Sequence, residues 1–260
     1  MHPNGKIVLI TGASAGIGAA TAHAFALAGS RVILAARGAA RLQATAEALP
    51  GQPLVVPTDI SDAGAVGRLV EQTVAEFGSL DIVISNAGVG LAAPVAGMRA
   101  EDLQQALAVN LFGPLALTQA ALPHLRRGGG QLIFVSSVVG LRALPYLGGY
   151  AAAKAALDRL TEALRVELRG SGVAVTLVRP GSTQTEFAAH RLGQGRERRR
   201  VSSRAATPEQ VAQAIVRAAI REPRVAYVSA GDRLAAAVSL LAPRLTDWLL
   251  ARSFSWEGGE

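Results

Sequence analysis

Seven short, mostly apolar runs, at residues 7–10, 31–35, 54–59, 82–85, 131–135, 174–178 and 225–228, recur along this chain with helical stretches between them. Continuous apolar runs of this length suit strands buried on both faces. Joined through helices, such strands make a parallel sheet covered on either side. Ligands bind these sheets beyond the carboxyl ends of the strands. The polar residues that stand out lie there: Thr11-Gly12, Arg37, Asp59, Asn86, Ser136-Ser137 and Pro180-Gly181 end or follow the first six runs in turn. The exceptions, Asn110, Tyr150 and Lys154, fall in helical stretches.

With 260 residues, 50% of them hydrophobic, the chain can bury one large α/β core, and no second domain is needed. Cysteine is absent and the four histidines are scattered, so neither disulfides nor a metal centre is expected. Lys6 leads straight into a strand rather than a long apolar segment, and a cytoplasmic protein is expected. A net charge of +7 invites a nucleic-acid reading, but aromatics make up only 4% and no basic stretch is interleaved with them. The excess reads as solubilising charge, with part of it near an anionic ligand. Arginine carries almost all of it, because Lys6 and Lys154 are the only lysines. An ammonium can give up its proton where a guanidinium effectively cannot, which draws attention to position 154.

The first run enters Thr11-Gly12-Ala13-Ser14-Ala15-Gly16-Ile17-Gly18, and an alanine-rich helical stretch follows at residues 19–28. Strand, glycine turn and helix in that order aim backbone N–H groups and a positive helix end at a phosphate. The spacing is not the GxGxxG of the common dinucleotide fingerprint. In such a fold, an acidic residue about 20 positions past the glycines would hold the adenosine 2′-hydroxyl. Ala35, Ala36 and Arg37 stand there instead, which favours a 2′-phosphate and so NADP(H) over NAD(H). The plainer role for Arg37 is a surface charge at a strand end. Asp59 suits an adenine contact or a helix N-cap, and Ser61 competes for the cap.

Tyr150 and Lys154 are four apart in Tyr-Ala-Ala-Ala-Lys, with Leu157, Leu160, Leu164 and Leu168 following at helical spacing and Gly148-Gly149 as a break ahead. On a helix the phenol and ammonium share a face. A cation held there lowers the phenol from its ordinary pKa of roughly 10, making Tyr150 a candidate proton donor and acceptor. Alone, such a pair is more often a solvated or packing pair. Asn110 lies inside a helical period spanning residues 101–122 and must satisfy its amide through structural bonds or a site. Residues 191–206, basic through 196–200, read as a mobile loop, either a solvated insertion or a contact for an acidic partner. Residues 234–250 are apolar but interrupted by Pro243, Arg244 and Asp247, too broken to span a membrane. Dimer packing, a cover over a pocket and peripheral membrane contact all fit, in that order.

Taken together, TGxxxGxG at Thr11 to Gly18, Asn86-Ala87-Gly88, Ser137, and YxxxK starting thirteen residues after that serine closely resemble the short-chain dehydrogenase/reductase family, from about residue 6 to 230. The resemblance implies a Rossmann-type doubly wound parallel sheet of seven strands in order 3-2-1-4-5-6-7 and a nicotinamide cofactor, NADP(H) preferred and NAD(H) possible. It also implies a small carbonyl or alcohol substrate and a homodimer or homotetramer. On it, residues 1–230 form the catalytic domain with a substrate loop near 187–206, and 231–260 extend the same domain. Carried over by position, Gly12, Gly16 and Gly18 line the pyrophosphate, with Ser14 and Ile17 in the same turn. Asp59 meets the adenine beside Ile60, and Asn86, Ala87 and Gly88 border the ribose. Pro180, Gly181, Thr183 and Thr185 hold the nicotinamide carboxamide, and Arg37 reaches the 2′-phosphate. Asn110, Ser137, Tyr150 and Lys154 match the catalytic tetrad, with Tyr150 and Lys154 also touching cofactor and Asn110 holding a relay water. No metal is required, since Tyr150 and Ser137 supply the acid and the electrophilic contact. Ser85 departs from a frequent Asn, and Ala15 from the basic residue of some NADP-preferring members. Largely apolar segments at 89–94, at 138–147 and after Phe187 point to a hydrophobic ketone or secondary alcohol. The alternatives are a non-catalytic NADP(H)-binding regulator and a sugar-nucleotide epimerase or dehydratase, which also uses a Tyr and Lys four apart. Different glycine spacing and the short C-terminal part argue against the latter.

Overall fold

The apolar runs become strands, buried almost throughout in the five central ones and only partly in the two at the edges of the sheet. β1 is Ile7–Thr11, β2 Arg31–Ala36, β3 Leu54–Pro57, β4 Ile82–Ser85, β5 Gly130–Val135 and β6 Val173–Arg179. β7, Arg196–Arg199, lies apart from them, and β8, Val225–Tyr227, completes the sheet. This computed structural model describes residues 1–194, 196–199 and 205–257. Seven strands pair in the order β3-β2-β1-β4-β5-β6-β8, all parallel, which is the expected order with β8 as its seventh member.

Alternate residues of each strand supply two cores. Leu9, Ile33, Val83, Leu132 and Leu177 face α3 (Ala63–Phe77), α5 (Gly113–Gly128) and α6 (Gly148–Glu167), where they meet Leu69, Leu117, Leu125 and Leu157. Val8, Ile10, Leu34, Ile84 and Ile133 face α1 (Gly16–Leu27), α2 (Ala39–Glu47) and α7 (Pro208–Arg221), meeting Phe25, Leu42, Val211 and Ile215. Burial of one such large side chain stabilises by about 1.5–3 kcal/mol, so the two cores fix the register that brings the strand ends level.

The structure corrects several local expectations. The helical period at 101–122 is three pieces: α4 (Ala100–Leu107), a π-helical turn at Ala108–Phe112, and α5. Gly148 and Gly149 are the first turn of α6, not a break before it. A Cβ on Gly149 would come within 2.5 Å of Leu91 Cδ2, so the helix start nests against that leucine. Neither Asp59 nor Ser61 caps α3. Asp62 does, accepting from Gly64 N (2.8 Å) and Ala65 N (3.1 Å), because it stands directly before the first helical residue.

The basic segment expected to be a loop contains β7, antiparallel to β9 (Phe254–Glu257) in a two-stranded sheet. Backbone pairing needs no apolar anchors, so a charged stretch can form it. Residue 195 and residues 200–204 lie outside the described residues. The apolar C-terminal part is α8 (Ala230–Leu241) and α9 (Pro243–Ser253), bent by 116° where Pro243 opens α9.

Candidate active site

Thr11 ends β1, and its hydroxyl accepts from the backbone N–H groups of Asn86 and Ala87, each at 3.0 Å. Asn86 Nδ2 returns a bond to Thr11 O at 2.9 Å. These bonds fasten the ends of β1 and β4 and shape the glycine turn between them. Gly12 has φ +68°, and a Cβ there would stand 2.9 Å from Ala87 Cα. A Cβ on Gly18 would collide with the Gly12 carbonyl oxygen, so only glycine lets α1 start this close to β1. Ala15 before α1 gives no side-chain cap, and no acid lies in the first turn. The first N–H groups of α1 therefore lack the usual intramolecular acceptor, the condition in which a helix end takes an anion.

A cleft of about 700 Å³ opens over these strand ends. Its walls include Gly12, Ser14, Gly16, Ile17, Gly18, Arg37, Asp59, Ile60, Asn86, Ala87 and Gly88 along one half. Ser137, Tyr150, Lys154, Pro180, Gly181, Thr183 and Thr185 line the other. One sequence-predicted site residue is missing. Asn110, in the π-helical turn, is fully buried behind the wall. Its Nδ2 donates to Val89 O (2.8 Å) and Ala106 O (2.9 Å), and its Oδ1 accepts from Val89 N at 3.3 Å. Asn110 thus ties the π-helical turn to the segment after Gly88.

In the other half of the cleft, α6 presents Tyr150 and Lys154 on one face, as their spacing predicts. Ser137 stands close enough to the Tyr150 hydroxyl to favour its phenolate, and the ring tilts against Phe187 with centroids 5.6 Å apart. Lys154 Nζ stands 5.9 Å from the Tyr150 ring centroid and donates to Val135 O at 3.0 Å. The expected lowering of the Tyr150 pKa is not seen: burial pushes the phenol up, and the neighbouring Ser137 hydroxyl only partly opposes it. Lys154 moves the other way, down to about 8, because burial disfavours the ammonium more than the field of Asp158 favours it. Desolvation decides both shifts, and residue spacing carries no information about it.

Asp59 folds back to accept from Ser61 N (2.9 Å) and Oγ (2.7 Å), and that hydroxyl, helped by the charge of Arg37, holds the carboxyl below its ordinary pKa. Pro180 O accepts from Val138 N at 3.0 Å and from Ser137 Oγ at 3.4 Å, linking the ends of β5 and β6. Val89, Val138, Leu144, Leu147 and Phe187 make the open end of the cleft largely apolar. Among the described residues no cluster of His, Cys, Asp and Glu could hold a metal ion. Sequence reasoning missed Arg41, which forms an ion pair with Glu186 at 2.7 Å, and His190 in the same wall. It also missed Asp158 and Arg179, a buried pair at 2.8 Å. Asp158 was within reach, four residues past Lys154, but its partner emerges only once α6 packs against β6.

The description "short chain dehydrogenase" belongs to a family profile that matches residues 6–194. This chain is a member of the short-chain dehydrogenase/reductase family. Membership makes the short-chain dehydrogenase/reductase described here an oxidoreductase that interconverts CH–OH and C=O groups. It is 34% identical to a dehydrogenase/reductase SDR family protein 7-like of Drosophila melanogaster over 261 residues, covering 95% of this chain and 80% of that protein. An 11-beta-hydroxysteroid dehydrogenase A of Sesamum indicum is 33% identical, with coverages of 98% and 77%. Among solved structures, an alcohol dehydrogenase from Thermococcus sibiricus complexed with 5-hydroxy-NADP superposes with TM-score 0.74 at 30% identity, over 84% of this chain and 92% of that one. A 3-ketoacyl-(acyl-carrier-protein) reductase from Brucella melitensis complexed with NADH gives 0.79 at 26% identity, over 88% and 99%.

Proposed function

We propose that this short-chain dehydrogenase/reductase is an NADP(H)-dependent enzyme acting on a hydrophobic ketone or secondary alcohol, with Tyr150 as its general acid and base. The observation that carries this is the convergence of Ser137, Tyr150 and Lys154 in one cleft with the glycine turn and Arg37. The turn fits a diphosphate on its own geometry, with uncapped N–H groups at the start of α1 and no Cβ at Gly12 or Gly18 to obstruct approach. Arg37, at the end of β2 with no carboxylate beside it on that strand, fits a 2′-phosphate. Relatives solved with an NADP analogue and with NADH support a nicotinamide group in this cleft.

When bound, the nicotinamide supplies or accepts the hydride. Tyr150 gives its proton to the substrate oxygen in reduction and takes it back in oxidation. Its raised pKa keeps it protonated, ready to act as the acid. Ser137, beside Tyr150, turns its hydroxyl from Pro180 O to donate to the same oxygen as charge develops on it. Lys154, charged below about pH 8, offsets the charge of the phenolate. Asn110 shapes the wall behind Lys154 through its bonds to Val89 and Ala106. The apolar open end favours lipophilic substrates, and exposed Phe112, Leu115, Leu160 and Val166 on the outer helices fit a homo-oligomer. In Tyr150→Phe, turnover of a ketone panel should fall by about 10²–10⁴ while NADPH affinity by calorimetry stays within about twofold. Wild-type turnover in that variant, or loss of NADPH binding with it, removes Tyr150 from the chemistry.

A further inference from the structure

The proposed chemistry leaves unused one fully buried carboxylate, Asp158, one helical turn past Lys154 on α6. Its Oδ1 accepts from Ser136 Oγ at 2.5 Å, and its Oδ2 accepts from Arg179 Nε (3.2 Å) and Nη2 (2.8 Å). Ser136 and Arg179 immediately precede Ser137 and Pro180. One carboxylate is therefore tied to the ends of β5 and β6 where both site segments leave the sheet. The turn at Val138–Gly140 closes on the same point, since a Cβ on Gly140 would lie 3.0 Å from Asp158 Oδ2 and 3.3 Å from the Lys154 carbonyl.

A clamp alone does not require charge, because buried ion pairs can often be replaced by neutral groups of similar shape at little cost. Charge has a use here. The ammonium of Lys154 is buried and bonded to a carbonyl, and Asp158 is the carboxylate whose field reaches it. Tyr150 shares the helix face of Lys154. Neutral Asn110 meets Lys154 at Gly88, where a Cβ would lie 2.9 Å from Asn110 Oδ1 and 3.6 Å from Lys154 Nζ. The Arg179 cation is bound to Asp158 itself. The acids of α4, Glu101 and Asp102, sit in its first turn, Glu101 beside Arg99 at 3.5 Å. We propose that Asp158 is a positioning residue that keeps Lys154 charged while it holds the Ser137 and Pro180 segments at the cleft. This rests on the role given to Tyr150 and Lys154 above.

The sequence offers a direct readout, because full-length protein labelled with ¹³C-lysine contains only Lys6 and Lys154. Lys6, paired with Asp81 at 3.0 Å, serves as the internal reference. NMR titration of wild type, Asp158→Asn and the double variant Asp158→Asn/Arg179→Gln should show Lys154 titrating lower by roughly one pH unit in Asp158→Asn, and lower by less in the double variant, which also loses the opposing Arg179 cation. The double variant, whose amides can bond each other, should recover most of the melting temperature lost in Asp158→Asn. An unchanged Lys154 titration in Asp158→Asn would overturn the proposal and leave Asp158 a clamp; should the single variant fail to fold, the double one decides. The alkaline limb of kcat/KM should follow the Lys154 titration. A shift by NMR without a kinetic shift would leave Asp158 its role and remove Lys154 from catalysis, so the two failures are separable.

Discussion

Lys154 and Tyr150 carry opposite shifts, and stability should report them separately. Lys154 titrates at about 8 in the fold against 10.5 when exposed, so at intermediate pH the unfolded chain holds the extra proton and stability rises with pH from about 8 toward 10.5. The cost of burying the ammonium, on the order of 3 kcal/mol at most, is fully present below pH 8. Denaturant titrations should therefore show the stability advantage of Lys154→Met over wild type shrinking between pH 8 and 10. Above pH 10 Tyr150 acts in reverse: its raised pKa contributes stability that is lost as pH climbs past its unfolded value. A constant difference between wild type and variant would mean that Lys154 is solvated. Arg37 gives a second measurement. If it bonds a 2′-phosphate, Arg37→Ala should weaken NADPH binding roughly 10- to 100-fold, the size of a charge-assisted bond, and NADH binding hardly at all. Spacing was enough to put Tyr150 and Lys154 on one helix face, a local fact, whereas only the family resemblance separates Ser137 from Ser136. The direction of the Tyr150 shift was not legible, because it depends on neighbours drawn from the whole fold.

At the level of elements, strands were read to within a residue or two because runs buried on both faces leave an unmistakable pattern. The π-helical turn at Ala108–Phe112 was hidden, since apolar periodicity continues through it. β7 was hidden too, because its partner β9 lies near the other end of the sequence and its residues look like solvated charge. The glycine turn was legible as a turn, and the structure adds how little room it leaves. Gly18→Ala should disrupt the packing of α1 on β1, lowering the melting temperature and abolishing the shift that NADPH produces. A variant that melts and binds normally would show that the turn has slack the structure lacks.

Across the whole molecule, the C-terminal segment reaches back to the open end of the cleft. Trp256 on β9 packs against Tyr146, centroids 5.1 Å apart and rings tilted by 36°, and Asp247 on α9 pairs with Arg142. Tyr146, held at φ +67°, sits between cleft residues Leu144 and Leu147, and its carbonyl accepts from Ala93 N at 2.9 Å. Loss of an aromatic contact of about 0.5–1.5 kcal/mol should loosen this wall without touching the glycine turn. Trp256→Ala should thus raise KM for a lipophilic ketone several-fold while KM for NADPH holds. Equal changes in both would place the effect in general stability instead. At the opposite end of the cleft, α1 begins on Ala15 with no side chain to close its first turn. A protein built this way borrows part of its folding energy from whatever anion it carries, so its resistance to proteases should rise and fall with the supply of dinucleotide around it.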